Sequence, residues 1–247
     1  YSNRAREILD LLFNEDEGYR LIDEFAAIID EPTGQLPSIV DADRAMWDYH
    51  PIMSSGKVNG SKAGKGRFYQ KARTKDFPGM IDIMKNYIRS RSNFILKSAA
   101  RDTKHPDQPT IKYLGSDGYP ANDLLFRSSA FSDRSGKFAG MKWRLAEVSA
   151  PDAPPHDPTQ PRPYEINAIW ESDILTNFSE EIVLPSGLVK VGHWYRARVR
   201  MLDNTQRWSH WSAPVEFQAG EPDTLKSLKM HLVPVSYTHL RAHETDS

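Results

Sequence analysis

The 247-residue sequence contains no cysteine. That excludes disulfides, thiolate zinc sites and cysteine nucleophiles, and it argues against a vertebrate receptor ectodomain, where disulfides are the usual staples. A charge excess is missing too: 32 basic residues face 33 acidic ones, for a net charge of -1. No global field then draws nucleic acid or an anionic membrane surface. No apolar run approaches the roughly 20 residues needed to cross a bilayer. The expectation is no nucleic-acid partner and no membrane span, with the oligomeric state left open. What is present is ordinary for a globular chain, at 39% hydrophobic and 26% charged residues, and the length allows one large domain or two of ordinary size.

The first hundred residues read as helices. Ile8, Leu9, Leu12 and Phe13 fall on one helical stripe, and Asn14-Glu-Asp-Glu17 interrupts it with acidic residues suited to the start of a second helix. That helix places Leu21, Ile22, Phe25, Ile28 and Ile29 on one face. A third is expected from about Ser38 to Tyr49, followed by a polar loop over 51–75. Asp76 then sits where an N-cap belongs, with Pro78 in the first turn of a fourth helix.

From Lys104 the pattern changes to short strand-like runs: 111–113, 124–132, 138–148, 164–172, 180–185, 192–202 and 213–219. Turn residues such as Asp133-Arg-Ser-Gly136 separate them. Short strands at this spacing, with no helical stripe between them, predict an antiparallel sandwich. The fold class expected is α+β: helices over 1–103, an all-β sandwich over 104–220 and a tail over 221–247.

The best-specified strand is 192–202. Tyr195, Ala197, Val199 and Met201 alternate with Trp194, Arg196, Arg198 and Arg200, so the first set faces the core and the second faces outward. Trp143, central in its own strand, is the natural core tryptophan beside Tyr195. Just beyond lies Arg207-Trp-Ser-His-Trp-Ser212. Trp208 and Trp211, three residues apart, are expected to slot between Arg196, Arg198 and Arg200, each contact contributing about 0.5–2 kcal/mol. The ladder reads first as structural and second as a partner-binding surface.

Several stretches resemble known families. RWSHWS is similar to the WSxWS box of cytokine receptors, but the paired disulfides of that family are missing, so the receptor reading is rejected. FSDRSGKFAGMKWRLAEV, YEINAIWES and GHWYRARVRMLDNTQRWSHWSAPVEF resemble fibronectin type III domains over 109–219. The corner entering 192–202 resembles one in which a buried Tyr, here Tyr195, bonds back to upstream backbone. REILDLLFNEDEGYRLIDEFAAII, ADRAMWDYHP and FYQKARTKDFPGMIDIMKNYIRSR resemble the C-terminal part of the CotH family, spore-coat-type protein kinases with an atypical kinase-like fold. That resemblance implies ATP-dependent phosphotransfer to protein hydroxyls by a secreted or surface bacterial parent. ATP and Mg are implied for that parent, whose phosphate-gripping Lys and metal-binding Asp residues are expected upstream of Tyr1. The fragment itself is expected to hold no catalytic residue, cofactor or metal. The alternative is a noncatalytic adhesion or scaffold protein that binds protein or glycan through the sandwich.

Other candidates fall away on spacing. Gly60-Ser-Lys-Ala-Gly-Lys-Gly66 has one residue too few between its glycines for a phosphate loop, and Gly66 stands where Ser or Thr should bind magnesium. Asp41 and Asp43, at i and i+2 on a helix, point to different faces. His50, His105, His156, His193 and His210 show no ligand spacing. Residues 235–245, VSYTHLRAHET, resemble a translated sequencing-adapter sequence, so His239, His243 and Glu244 are set aside as foreign.

Overall fold

The computed structural model describes residues 1–30, 38–48, 72–74, 76–98 and 101–224. Four helices come first. α1 (Ser2–Leu11) is followed by α2 (Glu15–Ile29), whose N-cap Asn14 accepts a hydrogen bond from the Glu17 N–H at 2.9 Å. α3 spans Ile39–Asp48, and α4 spans Phe77–Lys97 behind Asp76, which accepts from the Gly79 N–H at 2.9 Å. The loop expected over 51–75 lies outside the described residues except for 72–74, as do Gly60–Gly66, His50 and 235–245.

α2 and α4 cross closely at Gly18, where a Cβ would come within 3.2 Å of Ile88 Cγ2. Lys85 Nζ meets Asp23 Oδ1 at 2.6 Å across the same contact, and the Ser92 hydroxyl donates to the Phe13 carbonyl at 2.8 Å. The apolar stripe of α2 is not what this packing covers. Ile22 is buried, but Phe25 is 57% and Ile28 50% exposed. The buried positions are Glu17, Gly18 and Ile22, and on α1 they include Arg6. The stripe read for 21–29 is corrected accordingly: α2 turns its charged first turn inward, because a row of arginines waits there.

Among the described residues, seven strands form two antiparallel sheets. β1 (Ile111–Tyr113), β2 (Leu125–Ser128) and β5 (Glu181–Val183) make one, in the order β1-β2-β5. β3 (Phe138–Val148), β4 (Ala168–Glu171), β6 (Trp194–Asp203) and β7 (Val215–Gln218) make the other, in the order β4-β3-β6-β7. With the four helices this is an α+β arrangement. β3 and β6 pair over their full length, from Phe138 opposite Asp203 to Val148 opposite Trp194, with a register irregularity between Phe138 and Gly140.

Both sheets contribute to one core. Leu124 and Phe126 come from the first; Met141, Trp143, Leu145, Tyr195, Ala197, Val199, Met201 and Phe217 come from the second. The period-two alternation of β6 explains its share. Each large side chain removed from water contributes about 1.5–3 kcal/mol. Gly192, at φ +82°, turns the chain into β6. The Lys190 N–H donates to the Tyr195 hydroxyl at 2.8 Å and ties that corner down.

The strand expected over 164–172 begins only at Ala168. Tyr164–Asn167 form a turn closed by the Asn167 N–H donating to the Tyr164 carbonyl at 3.0 Å. That turn drops Glu165, 0% exposed, onto the face of the second sheet turned away from the core.

Candidate functional site

The Trp-Ser box runs along the edge of β6 beyond the end of β7. Ser209 N–H donates to the Met201 carbonyl and Ser212 N–H to the Val199 carbonyl, each at 2.8 Å. In return the Ser209 hydroxyl accepts from Met201 N–H at 3.0 Å and the Ser212 hydroxyl from Val199 N–H at 3.1 Å. The serines therefore continue the strand ladder with hydroxyls in place of carbonyls, and the spacing of three brings both indoles to Arg200. Its guanidinium lies 4.4 Å from the ring centroid of Trp208 and 4.4 Å from that of Trp211. Arg144 of β3 lies 5.5 Å from the Trp211 ring.

Arg196 and Arg198 do not join that stack. Arg198 forks onto Glu165, with Nη2 to Oε2 at 2.9 Å and Nε to Oε1, while its Nη1 donates to the Ser212 carbonyl at 2.6 Å. Arg196 gathers four carboxylates: Glu216 at 2.6 Å, Asp16 at 2.6 Å, Glu165 at 3.0 Å and Glu17 at 3.2 Å. The Glu165 N–H donates to Glu17 Oε2 at 3.0 Å, and Arg144 Nη2 donates to the Glu165 carbonyl at 2.8 Å.

The face read as outward is thus covered. Arg196, Arg198 and Arg200 are 5%, 8% and 9% exposed, because α1 and α2 lie over them. α1 holds the box directly. Asp10 accepts from Trp211 N–H at 2.8 Å with one oxygen and pairs with His210 Nδ1 at 2.8 Å with the other. Asn3 accepts from Trp208 N–H at 3.0 Å and donates to the Gln206 carbonyl at 2.9 Å. Gln206 stands at φ +65° in a turn that Asp203 secures by accepting from the N–H groups of Thr205 and Arg207.

Burial dominates the electrostatics. It pushes the Glu17 carboxyl up, with the Glu165 N–H and Arg196 pulling the other way. It pulls Arg144 and Arg200 down against their acidic neighbours. For Arg196 burial acts in the same downward sense, but Glu165, Glu216 and Asp16 outweigh it, and its pKa lies above the ordinary value. Arg196, Arg198 and Glu165 are tolerated at this depth because they pair with one another and are hydrogen-bonded. Arg200 instead rests on the two indoles, with Glu7 at 3.9 Å and its Nε unpartnered.

Trp143 and Tyr195 lie in the core at 1% and 0% exposure. Glu165, Glu17, Asp16, Asp10, Asn3 and Arg144 complete the ladder region, and sequence reasoning did not pick them out. The acids at 15–17 served there only as helix-start residues, and Glu165 was hidden in an apparent strand. Among the described residues, no group of three or more His, Asp or Glu side chains is placed to hold a metal ion. No helix among them is long and apolar enough to cross a membrane.

No protein-family model and no curated protein matches the chain. Among solved structures it is similar to one described as a myokine structure, at 12% identity and a TM-score of 0.32, covering 47% of this chain and 99% of that one. It is also similar to an α-L-rhamnosidase from Streptomyces avermitilis complexed with L-rhamnose, at 18% identity and a TM-score of 0.29, covering 47% of this chain and 10% of that one.

Proposed function

We propose that the chain is the helical end of a CotH-like kinase joined to a fibronectin type III-like sandwich, within a secreted or surface bacterial protein. The parent transfers phosphate from ATP, with magnesium, to protein hydroxyls. The observation that carries this reading is the number of large apolar side chains that the helices leave exposed. Phe25, Ile28, Ile29, Ile39, Met46 and Met84 are all more than 45% exposed, which suits helices that complete a larger body. The seven strands in orders β1-β2-β5 and β4-β3-β6-β7, with buried Trp143 and the Tyr195 corner, support the fibronectin type III reading of the β region.

The described residues gather no acidic set for magnesium. In this proposal ATP and its metal are held by the parent's sequence upstream of Tyr1. The test is to recover the coding DNA around this fragment and assay transfer of labelled γ-phosphate to a protein acceptor. The full parent is expected to transfer it, and residues 1–247 alone are not. A parent frame without the phosphate-gripping Lys and metal-binding Asp residues overturns the reading.

A further inference from the structure

At the end of the second sheet away from the box, a cleft of about 710 Å³ opens between the start of β6, the end of β3 and the loop that follows β3. Six of the thirteen loop residues 151–163 are proline. With φ fixed at each, such a loop loses little freedom when a ligand arrives. Arg162 braces it, donating to the carbonyls of Ala153 at 3.1 Å and Pro154 at 2.6 Å.

The charged groups of the lining already hold hydrogen-bond partners. His193 Nδ1 lies 2.8 Å from Glu147 Oε1, Arg162 is taken by carbonyls, and Asp157 accepts from Thr159 N–H at 2.8 Å and from its hydroxyl at 2.7 Å. Acid and base are interspersed along the lining, with no cluster of one sign to select a phosphate or a polycation. What remains is a half-buried indole, Trp194, beside planar polar groups: the carboxylate of Glu147, the imidazole of His193 and the amide of Gln160. Nε2 of the imidazole and the second oxygen of the carboxylate remain to meet a hydroxyl.

From this combination we infer a binding site for a neutral oligosaccharide, independent of the kinase reading. The apolar face of a sugar ring packs on Trp194, and its hydroxyls bond to Glu147, His193 and Gln160. Stacking a partly polar ring on an aromatic face while planar groups take its hydroxyls puts the indole, carboxylate, imidazole and amide to use together.

The experiment is saturation-transfer NMR on the full chain with xylohexaose, cellohexaose and chitohexaose as neutral probes, and with inorganic triphosphate and a proline-rich decapeptide as contrasting ones. Transfer to ring protons of a neutral sugar is expected. Trp194→Ala should weaken it by about ten-fold or more, and His193→Ala by a smaller factor. The His193 side chain is 46% exposed, so that variant reports on binding even if Trp194→Ala folds poorly. Silence from all three sugars overturns the proposal. So does sugar binding undiminished in His193→Ala and in any folded Trp194→Ala, or binding of the peptide or triphosphate alone.

Discussion

Trp211 is 1% exposed, with Arg200 against its ring and its N–H held by Asp10. Truncating it removes packing as well as a cation–π contact. Trp211→Ala is therefore expected to lower stability by about 3–5 kcal/mol, more than the 0.5–2 kcal/mol of a ladder contact alone. Denaturant unfolding of the two proteins measures it, and an unchanged midpoint would remove the box from the folding core. His105 behaves differently. Its ring meets His210 edge-on at 5.4 Å. Burial holds its pKa below 6.5, Arg6 and His210 add to that, and the Pro106 carbonyl and Asp102 oppose it. The folded state thus binds fewer protons at this site than the unfolded chain. This contribution to stability is complete above pH 6.5 and declines as the pH falls below it. His105→Asn should flatten the fall in unfolding midpoint as the pH drops below 6.5. Residue by residue, the tryptophans, serines and arginines of the ladder were legible, because an unusual spacing flags them. Asp10 and Glu165 were not, since single acids carry no spacing and their roles depend on which distant element lands beside them.

At the scale of elements, α2 is held at its first turn from two directions. Asn14 caps it, and Asn14→Ala should cost about 1 kcal/mol. Glu17 ties the same turn to Glu165 and Arg196. Glu17→Ala takes one of four carboxylates from Arg196 and leaves the buried Glu165 N–H without its acceptor, so a loss of about 1–3 kcal/mol is expected. Glu17→Gln, which keeps an acceptor oxygen, should lose less. Equal losses in the two variants, read by thermal unfolding, would mean that the acceptor is not what matters. Strand positions were readable because alternation and Pro- or Gly-containing turns are local signals. The inward face of α2 was misread for a related reason: hydrophobic periodicity predicts apolar burial, and here the covering contact is ionic.

For the molecule as a whole, the arginine row joins the helices to the second sheet through pairs shielded from solvent. Salt screens exposed pairs but reaches buried ones weakly. The unfolding midpoint is therefore expected to move little between about 0.1 M and about 1 M sodium chloride, whereas a large downward shift would mean that the interface is wet. The α+β class was legible in the change of pattern near Lys104. How the two regions dock was not, because long-range charge pairing leaves no periodic trace in a sequence.

The strand ladder carried on by Ser209 and Ser212 has a further consequence. β7 accompanies β6 only from Trp194 to Ala197, so without the box the rest of β6 would present a row of open amides to any passing extended chain. Bare sheet edges of that kind template strand addition and fibrous aggregation. By filling the N–H groups of Val199 and Met201 with side-chain oxygens, the box closes the edge with atoms that cannot themselves propagate a sheet.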